Sequence, residues 1–220
     1  MAKVSPLQFE FVHESEYDLS EWERIVGKLA DDLDMLLAGQ ATETDVQTYI
    51  GAMLDALRPV ENTRHQDMLF LMFDHPASLD AHDRVDYVYR PTYLAAAFMM
   101  TAVCRYRSLQ RNGSLLRALR PVLNAAMGRD FYGAGSEHYT GFLDTLQIFA
   151  TGDALRFINE YPWINEDFAK KLRSAIAFVQ TDICTGKITD GWSGKDYSER
   201  GKKLLKRFGM IGDGSPAVPQ

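Results

Sequence analysis

Hydrophobic residues recur along most of this chain at intervals of three and four positions, which is the spacing of amphipathic α-helices. Capping residues, glycines and prolines mark where each periodic segment begins and ends. With those boundary residues included, eight helices are predicted: Ser20 to Gly39, Thr44 to Pro59, about Asn62 to Phe73, Pro91 to Asn112, Ser114 to Met127, Ser136 to Gly152, Asp153 to Pro162 and Asn165 to Gly186.

The pattern predicts an all-α fold: a single compact domain of roughly eight helices arranged as antiparallel helical hairpins. The domain is expected over residues 20–186, after an N-terminal arm over 1–19 whose weak alternation is typical of an extended segment. Residues 187–220 are expected to form a basic, partly disordered tail, with a short helix between Tyr197 and Phe208. Pro121 is expected to kink or break its helix near Leu119.

Three segments stand out from the helical rhythm. The run MLFLMF, within the helix predicted from Asn62, is apolar on all sides and is expected deep in the core. Residues 93–104 are also strongly apolar and are expected to form a buried helix. Between them, residues 74–91 are polar and turn-rich, and we expect a long loop there, which in compact domains is often functional.

Residues 90–162 contain two helical segments joined by glycine and aromatic turns, PTYLAAAFMM and later GAGSEHYTGFLDTLQIF. This arrangement resembles the helical hairpins of α/α-toroid proteins, which include six-hairpin glycosidases and terpenoid cyclases. The resemblance implies packed antiparallel hairpins over these residues. It carries over no catalytic residue, because no specific catalytic motif matches.

The formal charge of −6 and the isoelectric point near 5.4 argue against a general nucleic-acid binder. No signal peptide and no apolar run long enough to cross a membrane is recognised, so a cytoplasmic protein is expected. Cys104 and Cys184 lie in apolar helical patterns and are expected to be reduced, buried side chains. Burial would raise the pKa of the Cys104 thiol.

The predicted loop is rich in acidic residues and histidines, including His75 and His82. These residue types ligate metals, but exposed turns also favour them, and we therefore predict no metal and no cofactor. Its carboxylates are instead predicted to contact a basic protein partner: Asp74, Asp80, Asp83 and Asp86.

A second candidate site lies at the start of the helix that Ser136 is expected to cap. Glycines before a helix can present backbone N–H groups to an anion, although a simple helix connection explains them equally. Glu137 and Asp144 are seven positions apart and share a helix face, so they could act as an acid and base pair. The candidate ligand-binding set is Tyr93, Tyr132, Glu137, His138, Tyr139, Asp144 and Trp163.

The basic residues over 195–208 are the only stretch that favours nucleic acid, although a solvated helix face explains them better. No complete catalytic set is found. The leading hypothesis is an acidic helical protein that acts through a protein partner, like an immunity protein, an antitoxin or an adaptor. The alternative is a small helical enzyme or ligand-binding domain with a pocket at the start of the 136–151 helix.

Overall fold

The computed structural model describes residues 7, 19–59, 69–71, 83–127, 139–185 and 196–211. Within these ranges the fold is all-α apart from one pair of three-residue strands, which confirms the predicted fold class. The elements are α1 Leu19–Leu37, α2 Glu43–Asp55, β1 Leu57–Pro59, β2 Leu69–Leu71, α3 Asp83–Arg105, α4 Arg107–Arg111, α5 Gly113–Ala125, α6 Tyr139–Thr151, α7 Ala154–Glu160, a 3-10 turn Pro162–Ile164, α8 Glu166–Thr185 and α9 Ser198–Arg207.

Helix α3 is the centre of the fold. Every residue from Pro91 to Cys104 is buried, because α1, α5, α6 and α7 all pack around this part of the helix. The predicted burial of residues 93–104 is therefore confirmed. A helix with apolar or small residues on every side is stable only in such a position, where no face meets water.

At two predicted helix boundaries the structure shows the backbone conformation or side-chain hydrogen bond that the sequence predicts. Gly39 follows α1 with a φ of 69°, a backbone conformation that residues with a Cβ rarely adopt. Asn165 precedes α8, and its Oδ1 accepts a hydrogen bond from the backbone N–H of Phe168 at 3.0 Å. Helix α2 begins at Glu43, one residue before the predicted start, because Thr42 and Asp45 form a capping box.

The helix predicted from about Asn62 to Phe73 is wrong where the structure describes it. Leu69–Leu71 is a strand that pairs antiparallel with Leu57–Pro59, with Phe70 opposite Arg58. A short apolar run without periodicity fits a buried strand as well as a buried helix. The pairing supplies the backbone hydrogen bonds that decide between them, and α2 accordingly ends at Asp55, before Pro59.

The predicted loop over 74–91 is also wrong in its second half, because α3 begins at Asp83 and continues through Pro91. Proline inside a helix removes one backbone hydrogen bond, which is why the sequence favoured a start at Pro91. Pro121 likewise lies inside α5 without breaking it. In both helices the packed core keeps a continuous helix despite the missing bond.

The turn between α6 and α7 packs directly on α3. A Cβ added at Gly152 would lie 2.9 Å from the Thr101 hydroxyl oxygen, so only glycine fits there. The same hydroxyl accepts a hydrogen bond from the backbone N–H of Asp153 at 2.9 Å. Asp153 occupies the predicted cap position of α7, but its carboxylate pairs with Arg105 instead of capping the helix.

Helix α9 confirms the short helix predicted near the C-terminus, and it packs against α6 and α8. Leu204 and Leu205 are buried in the same hydrophobic cluster as Leu7 and α3. Residues 202, 203, 206 and 207 form an exposed basic face, as expected for a solvated helix.

None of the helices in the described ranges combines the length and apolar character that a membrane span requires.

Candidate functional site

The predicted ligand-binding residues that the structure describes lie in different surroundings. Tyr93 is 2% exposed, and its ring centroid lies 6.0 Å from that of Phe149 inside the core. Asp144 is half-buried on α6 and forms an ion pair with Arg200 of α9. Trp163 is on the surface, and of Tyr139 only the backbone, at the first position of α6, is described. Tyr132, Glu137 and His138 are outside the described residues.

The predicted partner-binding carboxylates are only partly described. Asp83 and Asp86 are the first and fourth residues of α3, and their side chains are not described. Asp74 and Asp80 are outside the described residues, as are His75 and His82. Across the described ranges, no three metal-ligating side chains come together.

Trp163 is the most exposed large hydrophobic side chain in the described part of the chain. It is 62% exposed on the 3-10 turn between α7 and α8, compared with 43% for Met210, the other exposed side chain of this kind. Its neighbour Ile164 is buried and anchors the turn from below. An aromatic ring is therefore presented to solvent on a fixed base.

Asn165 holds that turn in place. It is 6% exposed, and its Nδ2 donates to the Asn124 Oδ1 at 2.7 Å and to the Arg120 carbonyl oxygen at 3.3 Å. Its Oδ1 caps α8 through Phe168. All three partners are backbone or short side-chain groups on helices, so the turn is rigidly attached to both α5 and α8.

Two carboxylates adjoin the Trp163 turn. Glu166 and Asp167 are exposed at the first turn of α8, where the helix dipole favours negative charge. No basic group of the described residues lies within ion-pair distance of either. Neither residue is among the predicted site residues, although two consecutive acidic residues directly after Trp163, Ile164 and Asn165 are visible in the sequence.

A groove of about 370 Å³ opens between α1, α3 and α6. Its described lining residues are mostly apolar, with one acidic and one basic side chain: Glu23, Val26, Gly27, Ala30, Arg90, Leu94 and Ile148. None of the predicted ligand-binding residues is among them. Among the described residues, the groove and the predicted ligand-binding set therefore have no member in common.

The buried polar groups of the described core serve packing. The Tyr49 hydroxyl donates to the Asp32 carboxylate at 2.5 Å, linking α2 to α1. Burial, followed by the hydrogen bond to Asp32, raises the pKa of Tyr49 far above its ordinary value.

Burial also raises the pKa of the Cys104 thiol to about 12, as predicted, so this cysteine is a poor nucleophile. Cys184 is exposed, contrary to prediction, and both cysteines are free.

Comparison of the chain with family models, with curated proteins and with solved structures finds no match.

Proposed function

We propose that this protein is a binding module that acts through a protein partner, and that the partner docks on the surface formed by Trp163, Glu166 and Asp167. The exposed, rigidly held Trp163 is the observation that carries the proposal. Tryptophan is among the residues most enriched where a few side chains supply most of the energy of a protein interface.

The exposed part of Trp163 is large enough to anchor a complex. Roughly 150 Å² of its surface is accessible, from its 62% exposure and the size of a tryptophan side chain. Covering that area is worth up to about 4 kcal/mol. Because Asn165 and Ile164 already fix the turn, little conformational entropy is lost when a partner binds.

The neighbouring charges favour a basic partner. Glu166 and Asp167 have no cationic partner among the described residues, so a lysine or arginine of another protein can pair with them. The same cation can stack on the Trp163 ring, an interaction worth roughly 0.5–1 kcal/mol at an exposed site. The proposal also includes the predicted contact of the basic partner with four further carboxylates: Asp74, Asp80, Asp83 and Asp86.

We further propose that the protein acts like an immunity protein, an antitoxin or an adaptor, and that it is cytoplasmic. The location is supported by the two free cysteines, since the exposed Cys184 thiol persists most readily in a reducing compartment.

The test is an affinity capture from native lysate at low salt, with four forms of the protein in parallel. Wild type and Met210→Ala should retain the same protein at stoichiometric amounts, while Trp163→Ala should retain it at least about tenfold less. Met210→Ala is the matched control because it also removes an exposed apolar side chain. Glu166→Gln combined with Asp167→Asn should weaken capture and reduce its salt sensitivity.

Equal capture by Trp163→Ala and wild type would remove Trp163 as the anchor. Retention of a small molecule with no protein would favour the alternative, a ligand pocket at the start of α6. Circular dichroism of each variant shows whether a loss of binding reflects a loss of fold.

A further inference from the structure

Positive charge is concentrated in one part of this acidic chain. Residues 87–129 contain seven arginines and no aspartate or glutamate, although the whole chain has 30 acidic and 24 basic residues. This segment includes α4, α5 and most of α3. Residues 91–104 of α3 are buried, so the exposed arginines of this segment lie mainly on α4 and α5.

Four arginines on α4 and α5 are exposed: Arg107, Arg111, Arg117 and Arg120, which we call the arginine row. No carboxylate of the described residues lies within ion-pair distance of any of them. By contrast, Arg105 pairs with Asp153, Arg156 with Glu160 and Arg200 with Asp144. None of the four is therefore held in an ion pair by the described parts of the fold, although the Glu43 carboxylate accepts a hydrogen bond from the Ser108 hydroxyl, next to Arg107 on α4.

The four arginines lie on two consecutive helices that contact each other. Arg107 and Arg111 are one turn apart on α4, and Arg117 and Arg120 are one turn apart on α5. The Arg117 guanidinium bends back along α5 to within 3.4 Å of the Ser114 hydroxyl oxygen, at the end of α5 that follows α4. Leu109, Leu115 and Leu119 are buried beneath, so both helices present their arginines outward.

We infer that the arginine row is a second docking surface, and that it binds an acidic segment of a protein. Guanidinium groups bind carboxylates through two parallel hydrogen bonds, and arginine is among the residues enriched at interface centres. Charge complementarity selects an anionic occupant. The net charge of −6 opposes a nucleic acid, whose affinity depends on attraction along a long phosphate backbone.

This surface is distinct from the one proposed for a basic partner. The two meet at Asn165, whose side chain contacts the Arg120 carbonyl oxygen, but one is positive and the other is negative. The inference does not depend on Trp163 as an anchor. A protein with both surfaces can contact two oppositely charged regions, which is what an adaptor requires.

The test measures binding of a dye-labelled oligoglutamate peptide to the full chain by fluorescence anisotropy at about 50 mM salt. Arg117→Gln with Arg120→Gln should weaken binding about tenfold, and Arg107→Gln with Arg111→Gln should do the same. The matched control is Lys170→Gln with Lys203→Gln, which removes the same charge from exposed positions on α8 and α9 and should change binding less than about twofold.

Three results would overturn the inference. One is no oligoglutamate binding by wild type, and another is equal weakening by the row variants and the lysine control. The third is tighter binding of an equally long oligothymidylate that is lost in the row variants, which would make the row a nucleic-acid surface. Trp163→Ala should retain oligoglutamate binding even where it loses the captured partner, so failure of one proposal is distinguishable from failure of the other.

Discussion

Replacing Asn165 by alanine tests how the Trp163 turn is held. The substitution removes the N-cap of α8 and the two hydrogen bonds from Nδ2 to α5. Loss of an N-cap costs about 1 kcal/mol. The Arg120 carbonyl and the Asn124 side chain each lose a donor, at roughly 1 kcal/mol apiece, less where water reaches the exposed Asn124.

The expected loss is therefore about 2–3 kcal/mol in the free energy of unfolding. For a chain of 220 residues this corresponds to a decrease in Tm of roughly 5–10 °C. Urea denaturation followed by circular dichroism measures the first quantity, and a thermal scan measures the second. Partner capture should also weaken at temperatures where Asn165→Ala is fully folded, because the Trp163 turn loses its attachment to α5.

Asn165→Ser separates the two roles of this side chain. Serine retains the capping oxygen but cannot reach α5, so it should recover about 1 kcal/mol relative to alanine. A decrease of less than about 1 kcal/mol in the free energy of unfolding of Asn165→Ala would contradict the predicted stabilisation by these three hydrogen bonds. Equal stability of the serine and alanine variants would show that the loss comes from the bonds to α5 alone.

Two further substitutions and one labelling experiment test the packing. Gly152→Ala should destabilise the fold by about 1–3 kcal/mol because the new Cβ meets Thr101, whereas Gly27→Ala, with open space around it, should stabilise α1 by roughly 0.5–1 kcal/mol. In urea denaturation, the same sign for both would contradict the predicted contact. At a pH of about 8, a thiol reagent should modify Cys184 in the native protein and Cys104 only after unfolding. The pKa of Cys104 is raised from 9.0 to about 12, so its contribution to stability is present below pH 9.0 and lost as the pH rises toward 12. Mass spectrometry that finds reagent on both Cys104 and Cys184 of the native protein would contradict the predicted protection of Cys104.

Two boundary residues with local chemistry, Gly39 and Asn165, are predicted correctly from the sequence, whereas Asp153 does not cap α7 and Asn112, not Ser114, caps α5. The stop at Gly39 needs only a positive φ, and the cap at Asn165 needs only an oxygen three residues before a backbone N–H. Such signals depend on neighbours within one helical turn. The same residues gave no hint that the Asn165 amide also reaches α5, since that contact joins positions 41 residues apart.

The candidate sites were harder to predict because exposure depends on packing. Tyr93 and Trp163 both belong to the predicted ligand-binding set, yet one is buried in α3 and the other projects from the surface. The arginine row was missed for a related reason. Its signal is the absence of acidic residues over 87–129, which the net charge of the whole chain and the basic residues of the tail do not reveal.

The spacing of apolar residues specifies the helical class and most helix faces, because it sets which side of a helix avoids water. It also specifies the burial of residues 93–104, where no polar face exists. The strand at Leu69–Leu71 and the continuation of α3 through Pro91 depend instead on contacts across the fold. In both cases the local preference is weak, and contacts between distant segments supply the free energy that selects the conformation.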